Sequence, residues 1–331
     1  MSEKTHKRKR SIQDAPVDLT KMQLARQQLT ALQEELAGIQ ETEHEMEQVM
    51  KHVEALQYIL GTAKKQKVSF SSLQFSHLQN MGIVQKTLQI IPSELDSMLS
   101  NSIIDSEHLD NLCTQITRIH RHVSMKYDPG ARMILDAILL AVAQVCVDGK
   151  ARLPAAILPE LRIATGDGVL IKNPATDFQL WLTGNADYGM CVYEDESNKV
   201  RVLGGLLAQV MRFAKSRITL VEAKRSGDAS FWDYTPEATG QAVALCEVTG
   251  LPTVRYCMSD GSNWLFALFT KDANGNRVCY ESHSVSITPE MATQATALFR
   301  KDVHQVVELL HHWLVSEVDP LNDPLYSLCD T

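Results

Sequence analysis

Arg217-Ile218-Thr219-Leu220-Val221-Glu222-Ala223-Lys224 is the stretch on which the fold and chemistry of this chain turn. In an extended strand, alternate side chains share a face. Ile218, Leu220, Glu222 and Lys224 therefore line one side, and Thr219, Val221 and Ala223 the other. A carboxylate and an ammonium group extend an otherwise apolar face at the strand's end. Burying either charge is costly unless it is paired or bound to something.

A second carboxylate lies upstream, in Trp181-Leu182-Thr183-Gly184-Asn185-Ala186-Asp187-Tyr188-Gly189. Asp187 follows a Gly-Asn turn and opens the next apolar run, Met190-Cys191-Val192-Tyr193. If the two strands are neighbours, Asp187 and Glu222 converge on one point. Two convergent carboxylates with flanking waters form a typical site for a hard cation, Mg2+ or Mn2+. Such an ion polarises a phosphoryl oxygen and generates hydroxide, while Lys224 stabilises developing charge or orients the attacking water. Glu-x-Lys alone is also the pattern of an ordinary surface ion pair.

Asp followed by Glu-x-Lys on a later core strand resembles the signature of the PD-(D/E)XK nuclease superfamily. The next segment extends the resemblance. Tyr234-Thr235-Pro236-Glu237-Ala238-Thr239-Gly240-Gln241 opens a helix, with Thr235 as an expected cap and Pro236 at its first position. Gln241 matches the glutamine that many members carry on the helix after the Glu-x-Lys strand. The expected order of helix, three strands, helix, strand is similar to the superfamily core. Gly-x-x-Asp-Tyr together with Val-Glu-Ala-Lys is similar to nuclease-like domains of large fungal families of mostly unassigned function. The resemblance covers residues 130-285 and implies metal ligands at Asp187 and Glu222, with Lys224 and Gln241 in the catalytic set. Alanine stands before Asp187 in place of proline, and the gap to Glu222 must hold an extra helix near 203-214. For the acidic residue that many members add from their first helix, Glu160 in Leu158-Pro159-Glu160-Leu161 is the candidate and Asp136 the second.

Beyond this core, the chain of 331 residues has room for about two domains. Residues 1-18 read as a basic tail. Its Lys7-Arg8-Lys9-Arg10 cluster is either a nuclear localisation signal or simply solvated. From 19 to 60 the residues Met22, Ala25, Leu29, Leu32, Leu36, Ile39, Met46, Met50, Val53 and Leu60 keep a coiled-coil-like seam. A helix this long cannot bury such a stripe alone. It pairs with a second copy to give a homodimer, or folds back on the helical 72-125 region. A helical arm is thus expected over 19-127, with helices beginning at Pro92 and near Asp105. Asp128-Pro129-Gly130 marks the expected boundary to an α/β (α+β) domain over 130-318, followed by a tail at 319-331. Within that domain the pattern predicts a buried helix at 131-147, helices at 203-214, 236-249 and 289-317, and seven strands. Thr270 to Asn276 reads as a hairpin turn.

Composition narrows the classes. Hydrophobic residues make up 44% and charged residues 22%, which is globular. A formal net charge of -8 excludes a polycationic coat for nucleic acid, so any contact with DNA or RNA must come from a local strip. Lys199, Arg201, Arg212, Lys215, Arg217 and Arg225 are that strip, or the solvated face of the inserted helix. Phe231-Trp232-Asp233-Tyr234 could stack on bases, although packing beside the core is the simpler expectation. His304, His311 and His312 lack an accompanying carboxylate cluster and read as helix-surface residues. Seven scattered cysteines with no Cys-x-x-Cys support neither structural zinc nor a disulfide framework, and point to a reducing intracellular compartment. Cys146, Cys191, Cys246 and Cys257 lie in apolar segments as small buried hydrophobes. No run of ~18 apolar residues suggests a membrane partner.

Two functions fit this reading. One is a Mg2+- or Mn2+-dependent nuclease hydrolysing phosphodiester bonds of DNA or RNA. The other is a non-catalytic interaction protein that uses the nuclease-like fold as a docking module and the 19-60 helix for assembly.

Overall fold

Ile218–Ala223 forms the expected strand, and all six of its residues are buried. The computed structural model describes residues 67-148, 152-176, 178-214, 217-224, 231-288 and 297-329, together with Leu29, Thr30, Gln33 and Val53. In chain order the elements are β1 (Lys67–Ser69), α1 (Phe75–Asn80), β2 (Ile83–Ile90), α2 (Pro92–Ser100), α3 (Ser106–His122), α4 (Asp128–Asp148) and β3 (Ala155–Arg162). Next come β4 (Val169–Lys172), β5 (Gln179–Thr183), β6 (Asn185–Val192), α5 (Lys199–Leu203), α6 (Leu207–Ala214), β7 (Ile218–Ala223) and α7 (Thr235–Thr249). The chain finishes with β8 (Thr253–Ser259), β9 (Asn263–Lys271), β10 (Arg277–Ser282), β11 (Val285–Ser286), α8 (Ala297–Val315) and β12 (Tyr326–Cys329).

The main sheet runs β12-β2-β10-β9-β8-β7-β6-β3, with β11 added beside β9. It is mixed: β7 pairs parallel with β8 and antiparallel with β6. A separate small sheet has the order β1-β5-β4. The protein is therefore a mixed α/β structure, as expected. Because β4 and β5 leave the main sheet, the elements that build it around β7 follow the order α4, β3, β6, β7, α7, β8. With α5 and α6 inserted between β6 and β7, that is the helix, three strands, helix, strand sequence.

Both faces of the sheet are covered, which is why β7 reads as an unbroken apolar run with one charge. Val221 and Ala223 belong to the core shared with α3, α4 and α8, alongside Ile134, Ile138, Val303 and Trp313. By strand alternation Leu220 and Glu222 face the other way, toward α7. That helix buries eleven of its residues, from Thr235 to Cys246. It ends where Gly250 takes up a left-handed conformation (φ 73°) and donates its N–H to the Cys246 carbonyl. Thr235 does not cap α7: its hydroxyl donates to the Trp232 carbonyl at 3.0 Å, and Pro236 alone marks the start. Cys146, Cys191, Cys246 and Cys257 are all buried.

Pro129–Asp148 has the length and mean hydropathy (1.8) of a membrane span. Here it is the core helix, packed against α3, α8 and β3. The Thr270 to Asn276 hairpin forms as expected. The Asp272 side chain accepts the N–H groups of Asn274 and Asn276, both at 2.8 Å, and Gly275 supplies the positive φ (84°).

Several expectations need correction. Asp128 to Gly130 is not a domain boundary but the first turn of α4, and the larger compact unit begins at Gln66. Residues 72-127 are not all helical, since β2 pairs with β10 and β12 inside the main sheet. The C-terminal segment is not a tail: Tyr326–Cys329 completes one edge of the sheet. The 203-214 helix is two helices, α5 and α6, broken near Gly205 at φ 68°. His304, His311 and His312 are half-buried and do not stand on an open helix surface. His304 bonds to Ser102 (2.8 Å), His312 bonds to Asp323 (2.7 Å), and burial lowers the His311 pKa to about 4. Of the 19-60 seam, Leu29 and Val53 are helical and buried. The rest of it, the 1-18 tail with Lys7 to Arg10, Lys215 and Arg225 lie outside the described residues.

Candidate active site

The site forms where β6 begins and β7 ends. Tyr188 pairs with Val221 in the antiparallel ladder, so one further step in the same register sets Asp187 opposite Glu222. On the other side of β6, the pairs Pro159–Tyr188 and Leu161–Ala186 bracket Glu160, which occupies the step next to Asp187. Glu160, Asp187 and Glu222 thus form one row across three neighbouring strands. Glu160 is not on the first helix. It lies in β3, an edge strand whose prolines discourage a helix, at a strained φ of 51°.

Backbone donors fix the two inner carboxylates. The Ala223 N–H donates to Asp187 Oδ2 at 2.9 Å. The Asp187 N–H points at Glu222 Oε2 at 3.4 Å. Gln241, four residues into α7 from Glu237, donates from Nε2 to Glu222 Oε2 at 2.7 Å. Lys224 continues the β7 ladder by donating its N–H to the Ser259 carbonyl. Its Nζ then bridges Glu222 Oε1 at 2.7 Å and Glu237 Oε2 at 2.5 Å, 5.4 Å from the centre of the Tyr234 ring. From α4, Arg132 Nη1 donates to Glu160 at 3.1 Å, and Nη2 pairs with Asp187 Oδ1.

Asp187, Glu222, Lys224 and Gln241 therefore stand together, and Glu160 joins them through Arg132. Asp136 does not: it is exposed and accepts the Tyr188 hydroxyl at 2.8 Å. Arg132 and Glu237 were missed from the sequence. Glu237 carried a signal, since a spacing of four puts it on the helical face of Gln241. Arg132 carried none. Of the expected basic strip, Lys199 pairs with Glu196 and Arg217 with Glu317. Arg201 and Arg212 flank the Phe213 ring.

Counted fully ionised, the four carboxylates Glu160, Asp187, Glu222 and Glu237 and the two cations Arg132 and Lys224 carry a formal excess of two negative charges, and the inner members are buried. Burial, then the Glu222 charge, pushes the Asp187 carboxyl up to about 7. Burial also raises Glu222, against the pull of Lys224. Burial works against the Lys224 ammonium, but the adjacent Glu222 and Glu237 charges outweigh it and hold its pKa above the ordinary value.

Among the described residues no group of three or more His, Cys, Asp and Glu side chains is arranged to hold a metal ion. Asp187 and Glu222 offer two carboxylates. That is the set Mg2+ accepts when waters and substrate phosphates complete the shell. Gln241 Oε1 is buried in the same place without a hydrogen-bond partner, so it can accept from a water held there. The excess charge and this orphaned acceptor both fit a hydrated divalent cation. Two open clefts of ≈ 490 and ≈ 470 Å³ lie around Glu194 instead, and neither is lined by Asp187, Glu222 or Lys224.

The chain matches no family model, and no curated protein matches it.

Proposed function

We propose that this chain is a Mg2+- or Mn2+-dependent phosphodiesterase acting on DNA or RNA, with a restriction-endonuclease-like core of the PD-(D/E)XK kind. The observation that carries the reading is the row in which Asp187 stands opposite Glu222, with Lys224 bonded to Glu222 from the same strand. The order α4, β3, β6, β7, α7, β8 supports it further. Asp187 and Glu222 are the residues that would hold the cation. When bound, that ion supplies Lewis-acid polarisation of a phosphoryl oxygen and a water of lowered pKa. Lys224 presents a charged ammonium that steadies charge developing on the phosphate. Gln241 holds Glu222 through Nε2 and leaves Oε1 to orient the water. Glu237 keeps Lys224 in place.

One observation favours the second reading, a docking module without catalysis. Every oxygen of Asp187 and Glu222 already faces a protein donor, as in a site kept for structure. In that reading the 19-60 seam supplies assembly with a second copy.

Incubation with single- and double-stranded DNA and RNA, in Mg2+ or Mn2+, separates the two. The nuclease reading expects metal-dependent cleavage by the wild type and a loss of at least ~100-fold in Lys224→Met, in line with the removal of a single transition-state charge partner. A folded wild type that cleaves none of these substrates would leave the docking reading.

A further inference from the structure

Two cations guard the candidate site, and their settings differ. Lys224 is held by two carboxylates and an aromatic face, with 13% of its side chain exposed. Arg132 approaches from outside the sheet, from the first turns of α4, and 35% of its side chain is exposed. Its guanidinium straddles Asp187 and Glu160, which belong to adjacent strands. It thereby covers Asp187 Oδ1, an oxygen that a bound cation would need. The buried Tyr188 ring lies 6.0 Å from Arg132 Cζ.

We propose that Arg132 is a built-in competitor for the divalent cation: it neutralises Asp187 in the empty site, and the cation drives it off Asp187 and frees it to face the substrate's phosphate. The proposal rests on Asp187 being a metal ligand. Arg132 in this scheme acts first on Asp187 and then on the substrate's phosphate. The cost of expelling it sets how tightly metal binds before substrate arrives. A phosphate that recaptures the freed guanidinium offsets that cost, so metal and nucleic acid bind cooperatively.

The test is calorimetric titration of Mn2+ into the full chain at about pH 8. Salt is held at about 0.5 M so that long-range charge effects are screened. Wild type, Arg132→Met, Arg132→Lys and Asp187→Asn are compared. The expected result is binding at least roughly tenfold tighter in Arg132→Met than in wild type, with Arg132→Lys closer to wild type and no binding in Asp187→Asn. Arg132→Lys guards against a folding defect, since it retains the cation on the same helix. Wild-type binding with equal or weaker affinity in a folded Arg132→Met would overturn the competitor role while leaving the metal site intact. If neither wild type nor Arg132→Met binds Mn2+, the metal-site reading fails, and the competitor with it.

Discussion

Asp187 and Glu222 face each other across an antiparallel step, and each leans on the other's strand. The Ala223 N–H donates to Asp187, while the Asp187 N–H is aimed at Glu222. Holding two carboxylates this close in a buried place is unfavourable, and the strain appears in their acid–base behaviour.

Burial, then the nearby Glu222 charge, pushes the Asp187 carboxyl up to about 7. Between its unfolded value near 3.8 and 7, the folded protein keeps a proton that the unfolded chain has lost. Stability contributed by this group is therefore full below that window and falls as pH rises through it. His311, lowered to about 4, acts in the opposite sense over about pH 4 to 6.5. Comparison with Asp187→Asn removes the histidine from the balance. Without metal, wild type should lose more stability than Asp187→Asn between pH 5 and 7.5 in urea unfolding, and Mn2+ should restore it. Parallel curves for the two proteins would contradict the raised carboxyl.

Lys224→Met leaves Glu222 buried with no adjacent cation. Removing one partner of such a pair costs about 3–5 kcal/mol. Because Glu222 can take up a proton instead, the deficit should shrink at acid pH. Unfolding midpoints at pH 5 and 7.5 measure it, with Lys224→Arg as the variant that keeps the charge. An equal deficit at both values would mean that Glu222 does not feel the loss.

Asp136 and Glu160 are separated by their contacts. Asp136→Asn and Tyr188→Phe disturb one hydrogen bond away from the carboxylate row. Each should cost about 1 kcal/mol or less and leave cleavage within a few-fold of wild type. Glu160→Gln loosens Arg132 and should change metal affinity. A loss of cleavage in Asp136→Asn as deep as in Asp187→Asn would return Asp136 to the site.

Arg277 is 5% exposed and donates to the Met81 carbonyl (2.9 Å), the Lys172 carbonyl (2.8 Å) and Glu247 (2.7 Å). It fastens the ends of β2 and β4 to α7. Arg277→Met takes the donor from the Met81 and Lys172 carbonyls, while Lys271 still pairs with Glu247; it should cost about 1–3 kcal/mol without changing metal affinity in the protein that remains folded. Thermal unfolding with and without Mn2+ checks both parts.

The strand around Glu222 could be seen in the sequence because a fully buried strand writes its whole length in apolar residues, and Gln241 came from the resemblance of the helix that follows it. The row itself could not. That Asp187 lands opposite Glu222, with Glu160 one strand further, is set by register between segments some 25 to 60 residues apart. β2 was hidden because Ile83-Val84-Gln85-Lys86-Thr87-Leu88-Gln89-Ile90 mixes polar and apolar residues without a clean period. It becomes a strand through pairing with β10 and β12, nearly 200 residues and more away. β3 was hidden by Pro154 and Pro159, which an edge strand tolerates. Arg132 lies on a helix whose apolar pattern describes only its buried face.

The position of a divalent cation tests the central claim most directly. Crystals of the full chain grown with Mn2+, measured for anomalous scattering, should show one peak in contact with oxygens of both Asp187 and Glu222, with Gln241 Oε1 turned toward its water. The absence of a peak there at saturating Mn2+, with Arg132 still paired to Asp187, would contradict the metal-dependent site.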